Sequence, residues 1–148
     1  MFKNFKNFFE VAKKKEHDDQ EYLDEDIYAV LSLLIEASKI DGLIDNKELE
    51  LIKSILVNKF NLDSTKAEKS IKFVVQKSDE KVEIYSDLRV ILNNMDHLER
   101  ISVVEMLWKI ILVDGKIDQY ESNLLRRICG LLHVTGPESS EAKKKALK

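Results

Sequence analysis

The residues best placed to do chemistry occur twice. Residues 40–56 read IDGLIDNKELELIKSIL and residues 113–129 read VDGKIDQYESNLLRRIC, offset by 73 positions. Asp41 matches Asp114, Gly42 matches Gly115, Ile44 matches Ile117, Asp45 matches Asp118 and Glu48 matches Glu121. The shared pattern is D-G-x-I-D-x-x-E. Each copy offers three carboxylates: Asp41, Asp45 and Glu48 in the first, Asp114, Asp118 and Glu121 in the second. Hard oxygen donors with no His or Cys nearby suit Ca²⁺ or Mg²⁺ and not zinc. The pattern overlaps the second half of an EF-hand loop, which also needs oxygen ligands two and four residues before the first Asp. Those positions hold Lys39 and Ala37 in one copy and Leu112 and Ile110 in the other. Neither copy is therefore an EF-hand, and each can build at most a partly hydrated cation site.

A purely architectural reading accounts for most of the motif. Gly42 and Gly115 stop helices, and Asp45 and Asp118 are N-caps whose carboxylates accept from backbone N–H groups just inside the next helix. Glu48 and Glu121, three residues on, complete capping boxes. Such caps stabilise each junction by roughly 1–2 kcal/mol. Ile44 with Leu49 makes a hydrophobic staple, whereas Ile117 faces only Ser122. Asp41 and Asp114 resist this account. Both fall at helix C-termini, where the macrodipole disfavours an acid by about 0.3–1 kcal/mol. A bound cation removes that penalty, and if the two motifs meet about a pseudo-twofold axis they pool six carboxylates.

Other reactive residues do not assemble into a site. His17, His97 and His133 are isolated and lack zinc-ligand spacing. Cys129, the single cysteine, reads as a small packing residue and excludes an internal disulfide. No G-x-S-x-G, Walker A or G-x-G-x-x-G is present. Trp108 belongs to an apolar helix, and Arg126 with Arg127 reads as a solvated helix edge. With no nucleophile beside a base, the chain is expected not to be an enzyme.

The elements that must position the motifs read as helices. Ile27, Val30, Leu31 and Leu34 recur at helical spacing, predicting a central helix over about 21–41. A second runs from Asp45 to Phe60. A third covers about 64–77, and a fourth opens at Ser78 as its cap and runs to Met95. Asp96 with Glu99 opens a fifth, apolar on nearly every side from Ile101 to Val113 and expected to be the most buried. The sixth starts at Asp118. Residues 2–15 can form an amphipathic helix, with Phe2, Phe5, Phe8 and Phe9 among five lysines. The expectation is an all-α, single-domain bundle of about seven helices with an internal pseudo-repeat of helix pairs. Its divisions are a basic helix at 1–15, an acidic linker at 16–23, a helical domain at 24–135 and a Lys-rich flexible tail at 136–148 after Gly136-Pro137.

Composition agrees. In 148 residues there are only four glycines and one proline, too little punctuation for a β-sandwich or barrel. The net charge is −3, but residues 1–15 carry +4 and residues 137–148 carry +2, which leaves −9 on residues 16–136. An acidic body speaks against nucleic acid as a partner. No apolar run approaches the roughly 18 residues a spanning helix needs, and the N-terminus lacks the apolar core of a signal peptide. A cytoplasmic protein is expected. The Phe/Lys segment at 1–15 adds an expected peripheral contact with the inner face of the membrane, or packing of its Phe residues on the bundle.

The segment ASKIDGLIDNKELELIKSIL (residues 37–56), KIILVDGKIDQYESNLLRRICGLLHV (109–134) and LERISVVEMLW between them resemble the tellurite-resistance TerB-like family. The same helical domain is similar to the N-terminal region of membrane co-chaperones of the DjlA type. The resemblance covers about 24–135 and implies an all-α bundle with acidic residues at two helix junctions, proposed in the family to bind metal. Carried over by position, these are Asp41, Asp45, Glu48, Asp114, Asp118 and Glu121. The resemblance implies tellurite resistance, stress response and membrane-linked protein complexes as context. The Phe/Lys N-terminus lies outside the shared core, and no J-domain is present, so no co-chaperone activity is implied. Two readings follow: a non-enzymatic interaction module whose acidic junctions bind a divalent cation or a basic protein partner, and a membrane-peripheral scaffold in which those junctions only cap helices.

Overall fold

The structure, a computed structural model, describes residues 24–39, 44–78, 84–113 and 119–148. Among these residues there are seven helices and no strand: α1 (Glu25–Ser38), α2 (Asn46–Lys59), α3 (Ser64–Ser78), α4 (Tyr85–Asn94), α5 (His97–Leu112), α6 (Gln119–Leu131) and α7 (Gly136–Ala146). The expected helix at 2–15 and linker at 16–23 lie outside the described residues.

α1 is the hub. Its apolar residues are too many for one stripe, so the helix must be covered on several sides. It packs against α3, α4 and α5, with smaller contacts to α2 and α6. Ten of its 14 residues are buried, against seven of 16 in α5. The expectation that α5 is the most buried helix is therefore corrected. α5 is apolar around its circumference, but Ile101, Trp108 and Lys109 are only half covered.

Ile27, Leu31 and Leu34 of α1, Ile52 and Leu56 of α2, Ile91 of α4 and Leu107 and Ile110 of α5 are among the fully buried side chains of one continuous core. Burying side chains of this size contributes about 1.5–3 kcal/mol each before entropy is counted. Phe60 ends α2 and is itself buried. Asn61 then reverses the chain at φ 56°, in the left-handed region that Asn tolerates better than most residues.

Three boundaries differ from expectation. α1, expected to run to about residue 41, closes at Ser38, and Lys39 is already extended. Ser78 does not open α4; it is the last residue of α3, and α4 starts at Tyr85 after an Ile84 with no side-chain cap. The larger correction concerns residues 136–148, which are not a loose tail. Pro137 sits in the first turn of α7, where its missing N–H costs nothing and its fixed φ suits a helix. Thr135 accepts from Glu138 N at 3.3 Å, and Glu138 Oε1 accepts from Thr135 N at 2.9 Å, a full capping box. Ala142 is buried, and α7 lies along α5 in the most extensive helix pairing of the fold. Gly-Pro here marks a helix start and not the end of order.

Candidate functional site

At the first junction, α1 closes on Ser38, whose hydroxyl donates to the Leu34 carbonyl at 2.7 Å and is fully buried. Lys39 follows in an extended conformation. Asp45 is the N-cap of α2: its Oδ1 accepts from Lys47 N at 2.6 Å and Glu48 N at 3.4 Å. Glu48 Oε1 accepts in return from Asp45 N at 3.4 Å. The expected cap and capping box are in place. Ile44 and Leu49, the expected staple, both lie half-buried against the core. Asp41 and Gly42 lie outside the described residues.

At the second junction, α5 ends at Leu112 and α6 begins at Gln119. Asp114, Gly115 and Asp118 lie outside the described residues. α2 and α6 start at Asn46 and Gln119, whose numbers differ by the 73 of the sequence offset. Glu121 therefore holds the same helical position as Glu48, the third residue of its helix, and both are buried, at 2% and 7% exposed. Of the six predicted site residues, Asp45, Glu48 and Glu121 are described, and only Asp45 and Glu48 bond to each other there. Among the described residues no three His, Cys, Asp or Glu side chains converge as a metal site would require.

Like Thr135 and Glu138, Asp96 and Glu99 form a capping box outside both motifs. Asp96 Oδ1 accepts from Glu99 N at 2.9 Å, and Glu99 Oε1 accepts from Asp96 N at 2.8 Å. Glu99 is buried like Glu48 and Glu121. A buried carboxylate at this position is thus not confined to the two motifs. Capping does not exhaust such a carboxylate, however. Its two oxygens offer about four acceptor positions, so the same group can hold a backbone N–H and a cation together.

Sequence reasoning missed two acids beside the first junction. Glu36, in the last turn of α1, is partly buried, and that burial pushes its carboxyl pKa up. Lys39 opposes the shift, while the buried Asp87 of α4 adds to it by repulsion. The available signal was Glu36 itself, an acid interrupting an otherwise apolar run near a helix C-terminus, where the dipole also disfavours it. Asp87 had no local signal, because only the packing of α4 on α1 brings it there.

The fold and its capped helix junctions define an all-α bundle with acidic residues at its helix starts. The family model described as Tellurite resistance protein TerB matches residues 28–144. The chain belongs to that family. The match extends through most of α7, so the domain includes the helix that the sequence reading left out as a tail. No curated protein and no solved structure is significantly similar to the chain.

Proposed function

We propose that this chain is a tellurite-resistance and stress-response protein of the TerB type. It acts as a non-enzymatic interaction module whose acidic junctions bind a divalent cation, Ca²⁺ or Mg²⁺. The observation that carries this reading is the family match over residues 28–144, within which both D-G-x-I-D-x-x-E motifs fall. The proposed ligands are Asp41, Asp45 and Glu48 with Asp114, Asp118 and Glu121. The half-buried Glu36, raised by burial and by Asp87, adds negative charge near the first junction that a cation would offset. An unidentified protein partner is part of the reading, and nucleic acid is not.

Calorimetry of the full chain with Ca²⁺, Mg²⁺ and Mn²⁺ tests it, run on wild type and on the Asp41→Asn, Asp114→Asn double variant. Binding heat that the double variant loses supports the cation site. No heat from wild type at millimolar cation sinks it.

The buried Glu99, capping α5 outside both motifs, supports a second reading in which the acidic motifs are architectural. In that reading the protein is a scaffold held at the inner face of the membrane by residues 1–15. Among the described residues no helix is long and apolar enough to cross a membrane. Co-sedimentation with anionic vesicles should then capture the full chain and not a chain starting at Gln20. Equal pelleting by both would rule this attachment out.

A further inference from the structure

Between α5, α6 and α7 lies an open groove of about 410 Å³. Its wall contains Trp108 of α5, Arg126, Cys129 and Gly130 of α6, and Ser139 and Ser140 of α7. Leu125 and Val134 supply further apolar surface. In a chain with 27 acidic residues, none of the described residues lining this groove is acidic.

Beside the hydroxyls of Ser122 and Ser140, the groove's polar groups are Ser139, Cys129, the Trp108 indole and Arg126. The Trp108 indole N–H donates to Ser139 Oγ at 3.1 Å, and the Cys129 thiol donates to the same oxygen at 3.6 Å. A hydroxyl has two acceptor positions and one proton. With both positions used, Ser139 has only its O–H left to offer. The Arg126 guanidinium has donors and no acceptor, is exposed, and makes no ion pair among the described residues. The Lys143 ammonium sits 5.0 Å from the centre of the Trp108 ring, placing a second positive charge beside this wall. At Gly130 an added Cβ would meet nothing within 4 Å, so the groove is open there.

A concave surface with apolar walls, surplus donors, positive charge and no carboxylate among its described lining residues selects for an acceptor-only ligand group. The geometry points to a binding site in this groove for a small oxyanion, a carboxylate or phosphate carried on a short apolar body. The site is separate from the acidic junctions and independent of any cation there. Arg126 is the anchoring cation, Ser139 the half-buried donor, and Trp108 with Leu125 and Val134 the surface for the apolar part.

Trp108 is the chain's only tryptophan, so its fluorescence reports on the groove directly. The full chain is titrated with benzoate, phenyl phosphate, inorganic phosphate and the neutral benzyl alcohol. Expected is a saturable change with benzoate or phenyl phosphate, with inorganic phosphate and benzyl alcohol each about tenfold weaker or worse. Benzoate against phenyl phosphate then distinguishes a carboxylate from a phosphate site. Arg126→Gln should weaken the better anion about tenfold or more, as loss of a charge-assisted hydrogen bond does. Gly130→Leu should block it by filling the groove. Both positions are exposed, so circular dichroism of the variants should match wild type. No saturation by either aromatic anion at millimolar concentration overturns the proposal. So does equal affinity for benzyl alcohol, or binding that both variants leave unchanged.

Discussion

His97 Nε2 lies 2.6 Å from Glu138 Oε2, joining the first residue of α5 to the first turn of α7 across 41 positions of sequence. The contact clasps together the two helix starts of the most extensive pairing in the fold. Farther along α5, the Trp108–Ser139 hydrogen bond and the Lys143–Trp108 contact hold the two helices again. Residues expected to form a loose end are thus fixed along the length of α5.

Docking of α7 should depend on acid pH through Glu138. The Thr135 backbone N–H and then the His97 ring hold its carboxyl down to about 2, below the ordinary value of 4.5. A carboxyl depressed in the folded state contributes stability that is fully present above its unfolded pKa and is lost as pH falls through the folded one. Trp108 fluorescence should therefore begin to change below about pH 4.5, with the transition extending toward pH 2. Glu138→Gln should remove this component of the acid transition. An identical acid profile for that variant would show that Glu138 does not contribute it.

Removal of residues 135–148 should destabilise the whole bundle, because it strips α7 from α5. Trp108 emission should shift to the red, and the urea midpoint should fall. Ala142→Asp places a charge at a site 1% exposed and should have a similar effect, costing several kcal/mol. A truncated chain with unchanged midpoint would contradict the docking of α7.

Asp45 offers a clean separation of capping from charge. Asn caps helices about as well as Asp, whereas Ala does not. Asp45→Ala should cost about 1 kcal/mol in urea unfolding, and Asp45→Asn close to nothing. If the cation proposal holds, both variants should lose binding heat. Retained heat in Asp45→Asn would remove Asp45 from the ligand set.

His133 follows α6 at φ 58°, and the Val134 N–H then returns to the Cys129 carbonyl at 2.9 Å, a Schellman closure. A side chain in the left-handed region is strained, and glycine is the residue normally found there. His133→Gly should raise stability by about 0.5–1 kcal/mol. A lower denaturation midpoint would mean that the imidazole contributes more than its backbone strain costs.

The sequence alone determined the helical class, six of the seven described helices and the caps at Asp45 and Asp96. These are local properties: apolar spacing at 3.6 residues, and carboxylates three residues apart at a helix start, carry their meaning wherever they fold. The family resemblance was legible for the same reason, since its signature is short, contiguous and repeated. α7 was also written locally, as Thr135, Pro137 and Glu138, but Gly-Pro and the lysines that follow suggest a chain end when read without a partner surface. Only tertiary structure decided that α1 and not α5 is the most enclosed helix, because enclosure depends on how many neighbours surround a helix and not on its own apolarity. Tertiary structure also brought Asp87 beside Glu36, and placed Trp108, Arg126 and Ser139 around one groove. Those residues lie on different helices, and no spacing along a chain encodes a contact that exists only once the helices have packed.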